Sequence, residues 1–223
     1  MSDRVHLKAE DGHELEAYVA KPVGEPIAGL VVVQEIFGVN AHIRSVADGF
    51  AKDGFLAVAP ALFDRYERGI ELDYQGEDLK KAMSFVPKLN VDNAVRDTAA
   101  ALGHVRSQTG KKCGVIGYCF GGTIAWLAAT RLKADAAVGY YGGGIGVFAA
   151  ETPTAPVMLH FGRKDQHIPS EEVDTVAKAH PAVEIYWYDA GHGFNCNPRS
   201  SYDPESAEVA RERSLQFLNK YLI

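Results

Sequence analysis

Cysteine, positive charge and long apolar runs are all scarce in this chain. Only three of its 223 residues are cysteines (Cys113, Cys119 and Cys196). That is too few, and too odd a number, for a disulfide framework, and it raises the question of which thiol is reactive. Lys and Arg number 23 against 29 Asp and Glu, a formal net charge of −6. A broad nucleic-acid surface works by neutralising phosphates with Lys and Arg, so this deficit argues against one while leaving room for a local basic pocket. The longest apolar stretches, 27–33 and 55–63, fall far short of the ~20 residues of a membrane-spanning helix. No apolar targeting segment opens the sequence, and a cytoplasmic location is the expectation. Cofactor signatures are missing too. Gly142 to Gly146 lacks the GxGxxG spacing, and Gly110-Lys111 lacks the rest of a phosphate-binding loop. With no HExxH or CxxC pair either, neither cofactor nor metal is expected.

What is present is the balance of a globular protein, 47% hydrophobic and 23% charged. At ~100–200 residues per domain, 1–223 reads as a single domain. Short β-branched runs at 27–34, 55–59, 113–118, 136–141, 156–161 and 183–188 read as strands, several of them apolar on both faces. Helical patterns lie between them. Ile43, Val46, Ala47, Phe50 and Ala51 form one buried stripe, and 93–106, 120–132 and 204–222 also read as helices. The alternation predicts an α/β fold with a mostly parallel central sheet and helices on both faces. The least regular region, 60–90, reads as a loop and short helix over the sheet edge, a wall for a pocket.

The chemistry concentrates at Gly117-Tyr118-Cys119-Phe120-Gly121. This Gly-x-Cys-x-Gly stands between an apolar strand and a helical segment, where the G-x-S-x-G nucleophile elbow stands in α/β-hydrolases, with cysteine in the serine position. A sharp strand-to-helix turn needs minimal side chains two residues to either side, and it sets the nucleophile at a helix N-terminus that favours a thiolate. By itself the motif also fits a buried cysteine between turn glycines. Its partners should follow in the order nucleophile, acid, histidine. Asp165 stands just past the 156–161 strand, and His192 just past the 183–188 strand. His192 would then take the Cys119 proton and Asp165 would hold the imidazole.

The second half of an oxyanion hole belongs after an early strand. The backbone N–H groups of Ile36 and Phe120 are the two candidate donors. Glu35 is unexpected there: a carboxylate beside the nucleophile opposes the helix dipole and favours a neutral thiol at rest. Cys113 and His160 read as buried core residues, and Trp126 and Trp187 as core aromatics.

Four segments together, Gln34-Glu35-Ile36-Phe37-Gly38-Val39-Asn40, Gly117 to Gly122, Ala137 to Gly142 and Ala190-Gly191-His192-Gly193-Phe194, resemble the dienelactone hydrolase (carboxymethylenebutenolidase) family. The similarity runs over nearly the whole chain in one register. It implies an α/β-hydrolase fold, a Cys119–His192–Asp165 triad, Glu35 as a substrate-triggered activator of the thiol, and no metal or cofactor. It also implies a small anionic substrate, dienelactone (4-carboxymethylenebut-2-en-4-olide), opened to maleylacetate in aromatic degradation. Best-known members grip the substrate carboxylate with two arginines, one of them four residues after the triad histidine. Here that position is Cys196. Replacement cations are sought in Lys80 and Lys81, with Arg65 and Arg68 upstream, and in Arg199. Lys80 and Arg199 are the candidate substrate-binding residues, although lysine lacks the bidentate fork of arginine. The missing arginine keeps open a broader carboxylesterase or thioesterase. A non-catalytic binding module on the same shell is the remote alternative. A monomer with only a small-molecule lactone or ester as partner is expected.

Overall fold

The computed structural model describes residues 2–223. Eight strands form one sheet: β1 Ser2–Lys8, β2 Glu14–Ala20, β3 Ala28–Val33, β4 Phe55–Pro60, β5 Cys113–Tyr118, β6 Ala136–Tyr140, β7 Val157–Gly162 and β8 Glu184–Tyr188. The spatial order is β1-β2-β4-β3-β5-β6-β7-β8, with β3 to β8 parallel and the β1–β2 hairpin antiparallel at one edge. Six helices accompany it: α1 Ala41–Lys52, α2 Gly76–Phe85, α3 Val91–Thr109, α4 Phe120–Arg131, α5 Ser170–Ala179 and α6 Pro204–Leu222. No helix among the described residues is long and apolar enough to cross a membrane.

Residues of β3, β4 and β5 are buried on both faces, which is why these runs read as continuous apolar stretches. Their two sides meet different helices. Gly29 of β3 and its partner Cys113 approach Val105 of α3, whereas Gly114, one residue on, faces Leu218 and Leu222 of α6. α1 lies on the α6 side, where Arg211 stacks over Phe50 and pairs with Asp53. Each fully buried side chain of the Leu218 kind stabilises the fold by roughly 1.5–3 kcal/mol.

Three elements, β1, β2 and α5, lie outside the sequence reading. β1 and β2 were not expected, because Arg4, His6, Glu14 and Glu16 break up their apolar content; in β2 the buried positions alternate with half-exposed ones, as an edge hairpin requires. α5 escapes for a similar reason, burying only Val173 and Val176. The 60–90 region holds the short helix read there, α2, whose Ala82 and Phe85 face inward, Phe85 packing on Phe63 and Tyr66.

Candidate active site

The carboxyl ends of the parallel strands point to one rim, where open α/β sheets build their sites. Glu35 follows β3, Cys119 follows β5, Asp165 follows β7 and His192 follows β8. Cys119 caps α4 with φ 54° and ψ −118°, a left-handed region that costs a non-glycine residue of order 1–3 kcal/mol and marks a turn held by its surroundings. Two glycines make the turn possible. A Cβ on Gly117 would lie 1.8 Å from the Gly121 carbonyl oxygen, and one on Gly121 would lie 2.4 Å from that of Val33. The Gly121 approach also brings the elbow against the backbone of the Glu35 loop. The Cys119 N–H donates to the Tyr140 carbonyl at 2.9 Å, fixing the turn to β6.

His192 reaches both expected partners. Its Nδ1–H donates to Asp165 Oδ2 at 2.7 Å, and Nε2 lies 3.3 Å from Cys119 Sγ. The Asp165 side chain is 1% exposed, and its other oxygen accepts from the His167 N–H at 2.8 Å. Burial disfavours a charged His192, but Asp165 and Cys119 outweigh it and hold the imidazole up at about 10. That favours an imidazolium facing the sulfur. Glu35, the nearby carboxylate, is turned to other partners.

Glu35 is fully buried. Oε2 accepts from the Tyr74 hydroxyl at 2.7 Å, and Oε1 stands 3.6 Å from the Arg199 guanidinium without a hydrogen bond. Tyr74 is itself held by the Asn40 amide at 3.1 Å, and Asn40 caps α1 by accepting from the Ile43 N–H. The helix cap thus positions the tyrosine that positions the carboxylate. Gln34 braces the same loop: its Oε1 accepts from the Leu62 N–H at 3.0 Å. Ile36 and Phe120 line one cavity with Cys119, and neither N–H has a backbone partner outside the helices. The Phe120 N–H is among the first-turn donors that a helix leaves free.

The cation expectations divide. Arg199 lines the cavity, its guanidinium stacked over Phe37 and Tyr74. Lys80 does not: it is 75% exposed, pairs with Glu77 on the outer side of α2 and lines none of the cavities around Cys119. The helical period explains the correction, because Leu79 and Met83 occupy the cavity side and Lys80 is turned about 100° away from Leu79. Lys81 pairs with Glu67. Arg65 clamps the buried Asp97 and Asp11, and Arg68 bonds the Glu14 carbonyl.

Cys196 is fully buried, and burial with the Glu35 charge pushes its thiol up to about 12, so it stays protonated at neutral pH. Glu35, His42 and Cys196 each place one ligand-type atom within 4.8 Å of the others. Sequence spacing could not show this cluster, since its members come from the β3 loop, α1 and the loop after β8. His42 and Tyr74 are the residues that sequence reading missed; the only signal was their proximity to the Glu35 segment and the irregular 60–90 stretch. His160 is a core residue: Ser214 donates to the Ala210 carbonyl and so accepts from His160 Nε2, leaving Nδ1 to accept from Tyr188.

Comparison with known proteins bears on this geometry. The sequence model of the dienelactone hydrolase family matches residues 15–222. The chain belongs to that family. It is 34% identical to a carboxymethylenebutenolidase of Pseudomonas putida over 98% of this chain and 96% of that protein. Carboxymethylenebutenolidase 1 of Cupriavidus pinatubonensis is 30% identical, with 98% and 97% covered. A Klebsiella pneumoniae structure assigned to dienelactone hydrolase superposes with a TM-score of 0.85 at 30% identity, covering 99% and 100% of the two chains. A Pyrococcus furiosus esterase, 17% identical with a TM-score of 0.75 over 99% and 93%, shares the fold. This member of the dienelactone hydrolase family therefore has the α/β-hydrolase fold and is a hydrolase of ester or lactone bonds.

Proposed function

We propose that this hydrolase works through a thioester on Cys119, with a carboxylate-bearing lactone or ester as substrate. The observation that carries the reading is the unbroken row from Asp165 through His192 to Sγ, at 2.7 and 3.3 Å. Cys119 Sγ attacks the acyl carbon and the carbonyl electrons move onto oxygen, where the Ile36 and Phe120 N–H groups receive them. The tetrahedral intermediate collapses, the acyl–oxygen bond breaks and His192 gives its proton to the leaving oxygen. His192 then deprotonates a water that hydrolyses the thioester, and Asp165 supports the imidazolium throughout.

Arg199 is the group that answers a substrate carboxylate. While free of substrate it faces Glu35. A bound carboxylate draws it away, and Glu35 is released to accept the Cys119 proton, as the family resemblance implies. Dienelactone opened to maleylacetate fits this chemistry. The second reading, a broader carboxylesterase or thioesterase with dienelactone a minor substrate, is favoured by Arg199 standing alone where the family's best-known members use two arginines.

The test is Cys119→Ala against dienelactone and p-nitrophenyl acetate. The expected result is a loss of at least about 10³-fold in kcat with an unchanged circular dichroism spectrum. Turnover persisting at the wild-type rate would end the proposal. A kcat/KM higher for a neutral ester than for an anionic one of equal size would select the second reading.

A further inference from the structure

α2 is apolar on two sides. Ala82 and Phe85 face the core, whereas Leu79 and Met83, with Val86 at the C-cap just past the helix, spaced i, i+4, i+7 along one face, remain 38%, 52% and 39% exposed. All three line the cavity above Cys119, together with Ile36, Phe37 and Ile168. Arg199 is the single Arg or Lys in that lining. The cavity measures about 620 Å³, in the ~300–1,000 Å³ range of sites that enclose drug-sized ligands. Dienelactone, with about ten non-hydrogen atoms and most of its surface polar, falls short of what such a cavity encloses and leaves this apolar face in water.

We propose that the preferred substrates are larger esters or lactones, each with one carboxylate bound at Arg199 and an alkyl or aryl body packed on the Leu79–Met83–Val86 face. This rests on the Cys119 hydrolase reading above and specifies its substrate class. Charge sets the orientation, since Arg199 is the one Arg or Lys of the lining and stands apart from the His192–Cys119 pair that does the chemistry. Apolar burial on α2 supplies the discrimination, growing with each methylene removed from water.

The experiment measures kcat/KM for p-nitrophenyl acetate, butyrate and hexanoate, for the mono-p-nitrophenyl esters of glutaric and suberic acids, and for dienelactone. In the wild-type protein kcat/KM should rise with chain length by up to about fourfold per methylene, the equivalent of ~0.8 kcal/mol. The suberate half-ester should exceed both glutarate half-ester and dienelactone. In the Leu79→Ala/Met83→Ala variant the hexanoate-to-acetate ratio should fall by at least about threefold. A flat or falling chain-length profile, a ratio unmoved in that variant, or dienelactone as the best substrate overturns the inference. Acetate hydrolysis that is lost in Cys119→Ala shows in each of those cases that the hydrolase reading survives and only the substrate class has failed. No Cys119-dependent hydrolysis of any ester overturns both.

Discussion

Two polar regions meet at the rim of the sheet, and they are satisfied to different degrees. In the Asp165–His192–Cys119 row every nitrogen and carboxylate oxygen has a partner. In the nook beside it, around Glu35, buried polar atoms outnumber their hydrogen bonds: Glu35 Oε1, His42 Nε2 and Tyr141 Oη have none. A buried polar group without a partner costs about 1–3 kcal/mol, so the nook holds its charges less firmly than the row does. The difference separates two tasks. The row is preorganised for proton transfer. The Glu35 nook can exchange partners at little further cost, which suits a carboxylate that must respond to substrate.

Breaking the row has the largest expected effect. Asp165→Asn retains the shape but removes the charge that supports the imidazolium, and kcat should fall by about 10²–10⁴-fold; a loss under tenfold would show that Asp165 only braces the loop. Breaking the nook costs less. Glu35→Gln keeps an oxygen for Tyr74 to bond while removing the charge facing Arg199, and kcat/KM for a carboxylated ester should fall by about 10–100-fold. Arg199→Ala combined with it should be non-additive by about 1 kcal/mol or more, because the two side chains act as a pair. Additive losses would dissolve the proposed exchange.

A third change reads stability. Tyr74→Phe deprives Glu35 Oε2 of its hydrogen bond, leaving both carboxylate oxygens without one, and should lower unfolding free energy in urea by about 1–3 kcal/mol. The smallest effect per step separates two histidines. Burial pushes His160 down to about 3, whereas His192 is held up at about 10 despite its burial. Imidazole carbon shifts should therefore show His160 neutral and His192 protonated from pH 7 to 9. The signs for stability follow. The unfolded chain binds a proton at His160 below about pH 6.5 that the folded protein refuses, so this contribution is complete above 6.5. It is lost at up to ~1.4 kcal/mol per pH unit as pH falls towards 3. The His192 contribution is complete below 6.5 and is lost as pH rises through about 10.

The six strands from β3 to β8 were legible because a doubly covered sheet writes itself as uninterrupted apolar runs. The order Cys119, Asp165, His192 was legible because each stands just past such a run. The β1–β2 hairpin was not, since one face of an edge strand tolerates Arg4, Glu14 and Glu16. Lys80 was misplaced for a related reason. Charge composition says that a cation is near, but a rotation of one residue on α2 decides whether it meets the cavity or the solvent.

The sequence by itself determined the strand–helix alternation, the glycines that permit the Cys119 turn and the family to which the chain belongs. These follow from local sterics and from periodicity, which are properties of neighbours along the chain. Only the tertiary structure decided what Glu35 faces, that Arg199 and not Lys80 lines the cavity, that Cys196 is buried beside Glu35 and that α2 turns a second apolar face towards Cys119. Each of these depends on groups brought together from distant loops, where orientation, burial and charge set the chemistry and residue order carries no record of them.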